Sequence, residues 1–351
     1  MRDQGRSGGV RMSSIPKLNQ KIMEECQLYV DNLIKPIHSL GQLENFAVHI
    51  AGVTGEKKPS HLEKAIVIFA GDTAVDGENK TQGNLSHAEA KLVAQGGAPV
   101  NVLARQLGAP VYLIDVGLQK NTSDIEGVLS QKVVHGTHQG HPAMEDEAVQ
   151  GAIAVGMSVA KTLASQGIKA AAVGNIGERA MLSALAVTTA ILKEDLQKAS
   201  ASGGYRLHLT DVGGFAEDPI GNLAQVGSAE IAAIFGFIVE AARLSMITVF
   251  DNAVTGAAAL AAVTVYPEIR DYIYPSAAYE EPVHQMQLKK LGMKAFLHYD
   301  FTEAEGFGAA MGLSLLDASI DMLNQMKTFG TAQVDVAEDG PGKGRQREEV
   351  R

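Results

Sequence analysis

IAAIFGFIVEAARLSMITVF, residues 231–250, decides the fold. The run is long enough to cross a bilayer as a helix, but Glu240 and Arg243 lie inside it and make insertion expensive. It therefore predicts a buried helix followed by a short strand, residues 246–251, that ends on an acidic side chain. The same kind of strand recurs as AIVIFA (65–70), VYLIDV (111–116), 169–173 and 295–299, each a short apolar run stopped by Gly, Asp or a polar cluster. Between them lie helical stretches, rich in Ala and Gly at 257–262 and 308–316. This alternation is the signature of βα units around a parallel sheet, so the class is α/β.

The ends of the chain read differently. Residues 23–51 are helical by the spacing of Leu28, Leu33, Leu43 and Ala47, broken at Pro36 and Gly41. With the closing helix they predict a smaller helical lobe beside the sheet. The expected organisation is a disordered tail over 1–14, the first part of the lobe over 15–60, a large α/β domain over 61–306, the lobe's C-terminal helix over 307–336, and a second disordered tail over 337–351.

Composition narrows the function classes. A chain of 351 residues, 46% hydrophobic and 20% charged, is globular and large enough for a sizeable core. Forty acidic against thirty basic side chains give a net charge of −10, with basic clusters only at the termini. That balance repels nucleic acid and anionic membrane surfaces. The lone Cys26 excludes a disulfide framework and fits a reducing cytoplasm, and the first 14 residues lack the apolar segment of a signal peptide, with Met12 an alternative start.

Open parallel sheets bind ligands beyond the carboxyl ends of their strands, which directs attention to Gly71-Asp72, Gly174-Asn175, Asp251-Asn252 and 300–305. Gly174-Asn175-Ile176-Gly177 resembles half of a phosphate-binding loop, but it lacks a third glycine and a Lys-Ser/Thr pair, and Glu178 follows. A tight structural turn is the stronger reading. His135, His138 and His141 could offer imidazoles to a metal, yet neither Cys nor a carboxylate pair completes a site, and a polar loop outweighs it. Glu305-Gly306 places a carboxylate at a helix N-terminus, either as a dipole partner or as a general base.

Four stretches, LIKPIHSLGQLE (33–44), GGAPVNVL (96–103) with 111–117, PAM (142–144) after Gly136-Thr137, and EGFGAA (305–310), resemble the nicotinate-nucleotide:dimethylbenzimidazole phosphoribosyltransferases in order and spacing. The resemblance implies a doubly wound, Rossmann-like parallel sheet with a small helical lobe, a dimer, and neither metal nor cofactor. It implies displacement at the ribose anomeric carbon of nicotinate mononucleotide, with Glu305 matching the catalytic carboxylate. Gly174, Asn175, Gly177, Gly306, Asp251 and Ser276 are the expected substrate-binding residues.

Departures from the pattern are concentrated at the site. Thr302-Glu303-Ala304 replaces Arg-Leu-Gly, and Phe307 replaces a Ser or Thr. The Asn-Thr-Thr run after the glycine turn is gone from 178–182, and Gly71-Asp72-Thr73-Ala74 replaces Asp-His-Gly. Ser276-Ala277-Ala278-Tyr279-Glu280-Glu281 replaces Ser-His-x-Ser-x-Glu, and the basic insertion shrinks to 193–206. Lost partners for a charged phosphate cost about 1–3 kcal/mol per hydrogen bond. The chain is accordingly expected to be the catalytically degenerate subunit of a two-chain enzyme that activates phenol, p-cresol or benzimidazole, paired with an intact homologous subunit. A self-sufficient homodimer with altered acceptor specificity and a non-catalytic binding or regulatory homologue are the competing readings.

Overall fold

The structure is a computed structural model that describes residues 14–73, 81–138, 142–194, 218–279, 281–300, 305–337, 340–347 and 349–350. Among these, β1 (Lys64–Gly71), β2 (Val111–Gly117), β3 (Val128–Ser130), β4 (Ala170–Ile176), β5 (Ile247–Phe250) and β6 (Ile273–Pro275) form one parallel sheet in the order β3-β2-β1-β4-β5-β6. Ile66 pairs with Val111 on one side and with Ala172 on the other. The strand order thus reverses between β1 and β4, which makes a crevice at their carboxyl ends. β1 is buried along its whole length, the reason residues 65–70 are an unbroken apolar run, and the buried Lys64 at its start pairs with Asp317 at 2.9 Å.

Helices cover both faces, as expected for a doubly wound sheet. On one face α8 (Ala229–Arg243) lies on β1, β2 and β5 beneath α5 (Asp146–Ser165) and beside α9 (Ala253–Val265), while α6 (Ala180–Leu192) packs on α9 and on α7 (Pro219–Val226), and α10 (Pro282–Leu291) packs on α9. On the other face α11 (Phe307–Gln325) lies on β4 and β5 beside α4 (Pro99–Leu107). The stretch 231–250 resolves into α8 and β5, and all fifteen residues of α8 are buried. The two charges near its C-terminal end meet each other, Arg243 to Glu240 at 3.2 Å, and Glu240 also faces Lys161 at 3.7 Å. No helix of the described residues is long and apolar enough to cross a membrane.

Two details differ from the sequence expectation. Residues 174–176 continue β4 rather than opening a turn, because pairing with β1 persists to Ala70↔Ile176. The run 295–299 yields only β8 (Leu297–His298), which pairs with β7 (Ala277–Ala278) outside the main sheet. The apolar surface of 231–239 is covered within the chain by α5.

A second apolar cluster joins Cys26, Tyr29, Val30 and Leu33 to Ala47, Val48, Ala51, Met322 and Leu323. It is built from α1 (Gln20–Asp31), α2 (Gln42–Thr54) and the last turns of α11, so α11 serves both the sheet and this lobe. Between α1 and α2, Lys35 and Glu44 form a buried ion pair at 3.0 Å, and Glu44 also accepts the Leu40 N–H at 2.9 Å. Burial pushes the Cys26 thiol up to about 12, leaving it a packing residue. Residues 340–347, read from sequence as a tail, lie against this lobe: the Asn32 amide donates to the Arg345 carbonyl and accepts from the Arg347 N–H.

Candidate active site at the strand switch point

The site grows from two glycines. A Cβ on Gly174 would stand 2.3 Å from the Gly306 nitrogen and 2.5 Å from the Glu305 carbonyl carbon. Only glycine lets the peptide carrying Glu305 lie directly on β4. Gly306 adopts φ 80°, a left-handed conformation that turns the chain into α11. Glu305 is 7% exposed at the mouth of this helix.

Asp251 and Ser276 grip the same first turn. Asp251 Oδ2 accepts the Ala309 N–H at 3.0 Å and also takes the Gly308 N–H, while the Ser276 hydroxyl donates to the Gly308 carbonyl at 2.8 Å. Both side chains are fully buried, and burial pushes the Asp251 carboxyl up to about 7. Asn175 Oδ1 accepts from Asn252, whose own Oδ1 caps α9 through the Val254 and Thr255 N–H groups. Gly177 meets the neighbouring strand so closely that a Cβ there would lie 1.9 Å from the Gly71 carbonyl oxygen. All seven sequence-expected residues therefore collect at the carboxyl ends of β4, β5 and β6, with Asp251 and Ser276 directed into the first turn of α11.

At the β1 side, buried Asp72 accepts the Gln119 N–H at 2.8 Å and the Glu178 N–H at 2.9 Å. Burial raises its pKa, with Glu178 adding a smaller push in the same direction. The Glu178 carboxylate accepts the Leu85 N–H at 2.8 Å, at the start of α3 (Asn84–Ala94). Glu230, in the first turn of α8, is fully buried. Ser228 donates to its Oε1 at 2.6 Å, and its Oε2 has no hydrogen-bond partner among the described residues. A Cβ on Gly71 would fall 2.4 Å from that Oε2. Burial, aided by Asp72, pushes Glu230 up to about 8. The crevice is thus edged by Asp72, Glu178, Glu230, Asp251 and Glu305, while Arg179 follows Glu178 and Lys120 follows Gln119 in the same turns.

Comparison with known proteins places this geometry in a family. The chain matches the family described as phosphoribosyltransferase over residues 15–334. It is 31% identical over 342 residues to the nicotinate-nucleotide–dimethylbenzimidazole phosphoribosyltransferase of Geobacter sp. strain M21, a match spanning 92% of this chain and 97% of that protein. The protein of the same name from Geobacter sulfurreducens is 32% identical over 344 residues, with the same coverage. A crystal structure of the Thermus thermophilus protein of that name superposes with a TM-score of 0.80 at 29% identity, covering 91% of this chain and 100% of that one. The chain belongs to the nicotinate-nucleotide–dimethylbenzimidazole phosphoribosyltransferase family.

In this phosphoribosyltransferase two site features escaped the sequence reading. Glu230 hides at the head of an apolar run, and the signal that could have found it is Ser228-Ala229-Glu230, a polar helix start before buried residues. The second is Tyr299, whose ring lies 6.2 Å from that of Tyr279 and whose hydroxyl feels the Asp251 charge. His135 and His138 line an open cavity of about 680 Å³ with Glu145, Glu147 and Met144, at the start of α5. His141, Ala74, Glu280, Thr302-Glu303-Ala304 and 195–206 lie outside the described residues.

Proposed function

We propose that this phosphoribosyltransferase chain takes part in moving the phosphoribosyl group of nicotinate mononucleotide to a lower-ligand base in cobamide synthesis, as the catalytically reduced partner of an intact homologue. In that transfer a base removes the acceptor's proton, the acceptor attacks the ribose anomeric carbon, and nicotinate leaves. Phenol, p-cresol or a benzimidazole is the acceptor. The observation that carries the reading is the acidic edge of the crevice. A phosphate dianion at the switch point meets Asp72 and Glu178 where it needs donors, and an anion without compensating partners binds poorly.

One observation favours a second reading, a self-sufficient enzyme: Glu305 is held at the crevice by the Gly174 and Gly306 backbone, where a general base belongs. Co-expression with the intact homologue separates the two. Under the first reading the purified chain shows no calorimetric binding of nicotinate mononucleotide and co-elutes with the homologue. Glu305→Gln in this chain then leaves turnover of the complex nearly unchanged, while substitution of the homologue's matching Glu removes about 10²–10⁴-fold. Micromolar binding by the isolated chain, or a loss of that size from Glu305→Gln here, establishes the second reading instead.

A further inference from the structure

The first turn of α11 is covered by a phenol. A Cβ on Gly308 would stand 2.5 Å from the Tyr279 hydroxyl oxygen and 3.0 Å from Asp251 Oδ2. The Tyr279 hydroxyl therefore lies against backbone three residues along from Glu305, beside the carboxylate that grips this turn. Its ring is hemmed in by His284 at 6.0 Å and by Tyr299 at 6.2 Å, and Tyr279 is only 8% exposed. Burial, with the nearby Asp251 charge adding to it, keeps the Tyr299 phenol protonated.

Resting on the phosphoribosyl-transfer reading, in which Glu305 marks the end of the crevice where an acceptor loses its proton, we infer that the Tyr279 ring occupies the acceptor end of this chain's own crevice and excludes an external aromatic acceptor from it. The side chain presents the ring and hydroxyl of a para-substituted phenol, the same chemistry as the acceptor it displaces. Because it is tethered, it competes without the loss of translational freedom that a free molecule suffers on binding. An incoming phenol must expel a ring that buries on the order of 150–250 Å². Tyr279 is thus a specificity-determining residue that closes the site while Glu305 remains in place.

Tyr279→Ser tests this with p-cresol and phenol as probes, read by calorimetry and by the thermal midpoint of the whole chain. The variant is expected to bind p-cresol at least about tenfold more tightly than the unaltered chain, as a ring-sized cavity should. Adding Glu305→Gln should weaken that binding. Equal binding by the unaltered chain, a folded variant that gains none, or binding indifferent to Glu305→Gln each overturns the inference, the last by showing a plain packing void. If Tyr279→Ser does not fold, Tyr279→Ala, which opens the same ring-sized space without a hydroxyl to bury, serves for the same comparison. This readout needs neither turnover nor a partner, so an inactive complex, which bears on the transfer reading, is distinguishable from a failure here.

Discussion

Glu230 is a carboxylic acid held in a place that rejects its charge. Its ordinary pKa of 4.5 rises to about 8 because it is fully buried, and the Ser228 hydroxyl and its own backbone N–H offset that burial only in part. Between those two values the folded chain keeps a proton that the unfolded chain has released. The stability linked to Glu230 is therefore complete below the ordinary value and is lost as pH rises through about 8. Asp251, pushed up to about 7, acts in the same direction. Urea unfolding at about pH 5 and about pH 8 should show the unaltered chain weakening by an amount on the order of a few kcal/mol. Glu230→Gln, which keeps the shape and removes the titration, should reduce that slope. A variant with the parent's slope shows that Glu230 is ionised in the fold. Cys26, by contrast, titrates too high to contribute in this range.

Between elements, the most exacting contact is the crossing of α5 and α8. A Cβ on Gly156 would stand 1.8 Å from the Ala233 carbonyl oxygen, and one on Gly236 would stand 2.1 Å from that of Ile153. Both obstacles are backbone, so the helices must separate to admit a methyl group. Gly156→Ala is expected to destabilise by about 1–3 kcal/mol or more in chemical denaturation. Gly151→Ala, one helix face away, meets only the Val133 side chain at 3.1 Å and should cost less. Equal costs for the two would mean that the crossing is looser than it stands. The same scale shows what sequence reading misses. β1, β2, β4 and β5 were legible because burial on both faces demands an apolar run. β3 and β6 span three residues each and sit at the sheet edges, too short for a pattern. Gly174 read as a turn residue, since an approach by a segment more than a hundred residues away leaves no local mark.

For the whole molecule, the docked C-terminal stretch ties the last residues to the first lobe. Besides the Asn32 contacts, the Gln346 amide donates to the Lys35 carbonyl at 3.1 Å, Arg345 approaches Asp31 at 3.8 Å, and Val350 packs on the lobe's apolar cluster. Deleting residues 338–351 should speed amide exchange in α1 and in the 33–44 turn while leaving β1 and β4 protected. Unchanged exchange in α1 would show that the stretch adds nothing to the lobe. By itself the sequence determined the α/β class, the principal strands, the buried helix within 231–250 and, through its motifs, the family. These follow from local periodicity and residue order, which a chain carries wherever it folds. Tertiary structure alone decided that Gly174 and Gly306 close on each other beneath Glu305, that Asp251 and Ser276 turn inward to hold α11, and that Glu230 loses its water. Each of these depends on desolvation and on atoms brought together from distant parts of the chain, and neither is written in the neighbours of a residue along the sequence.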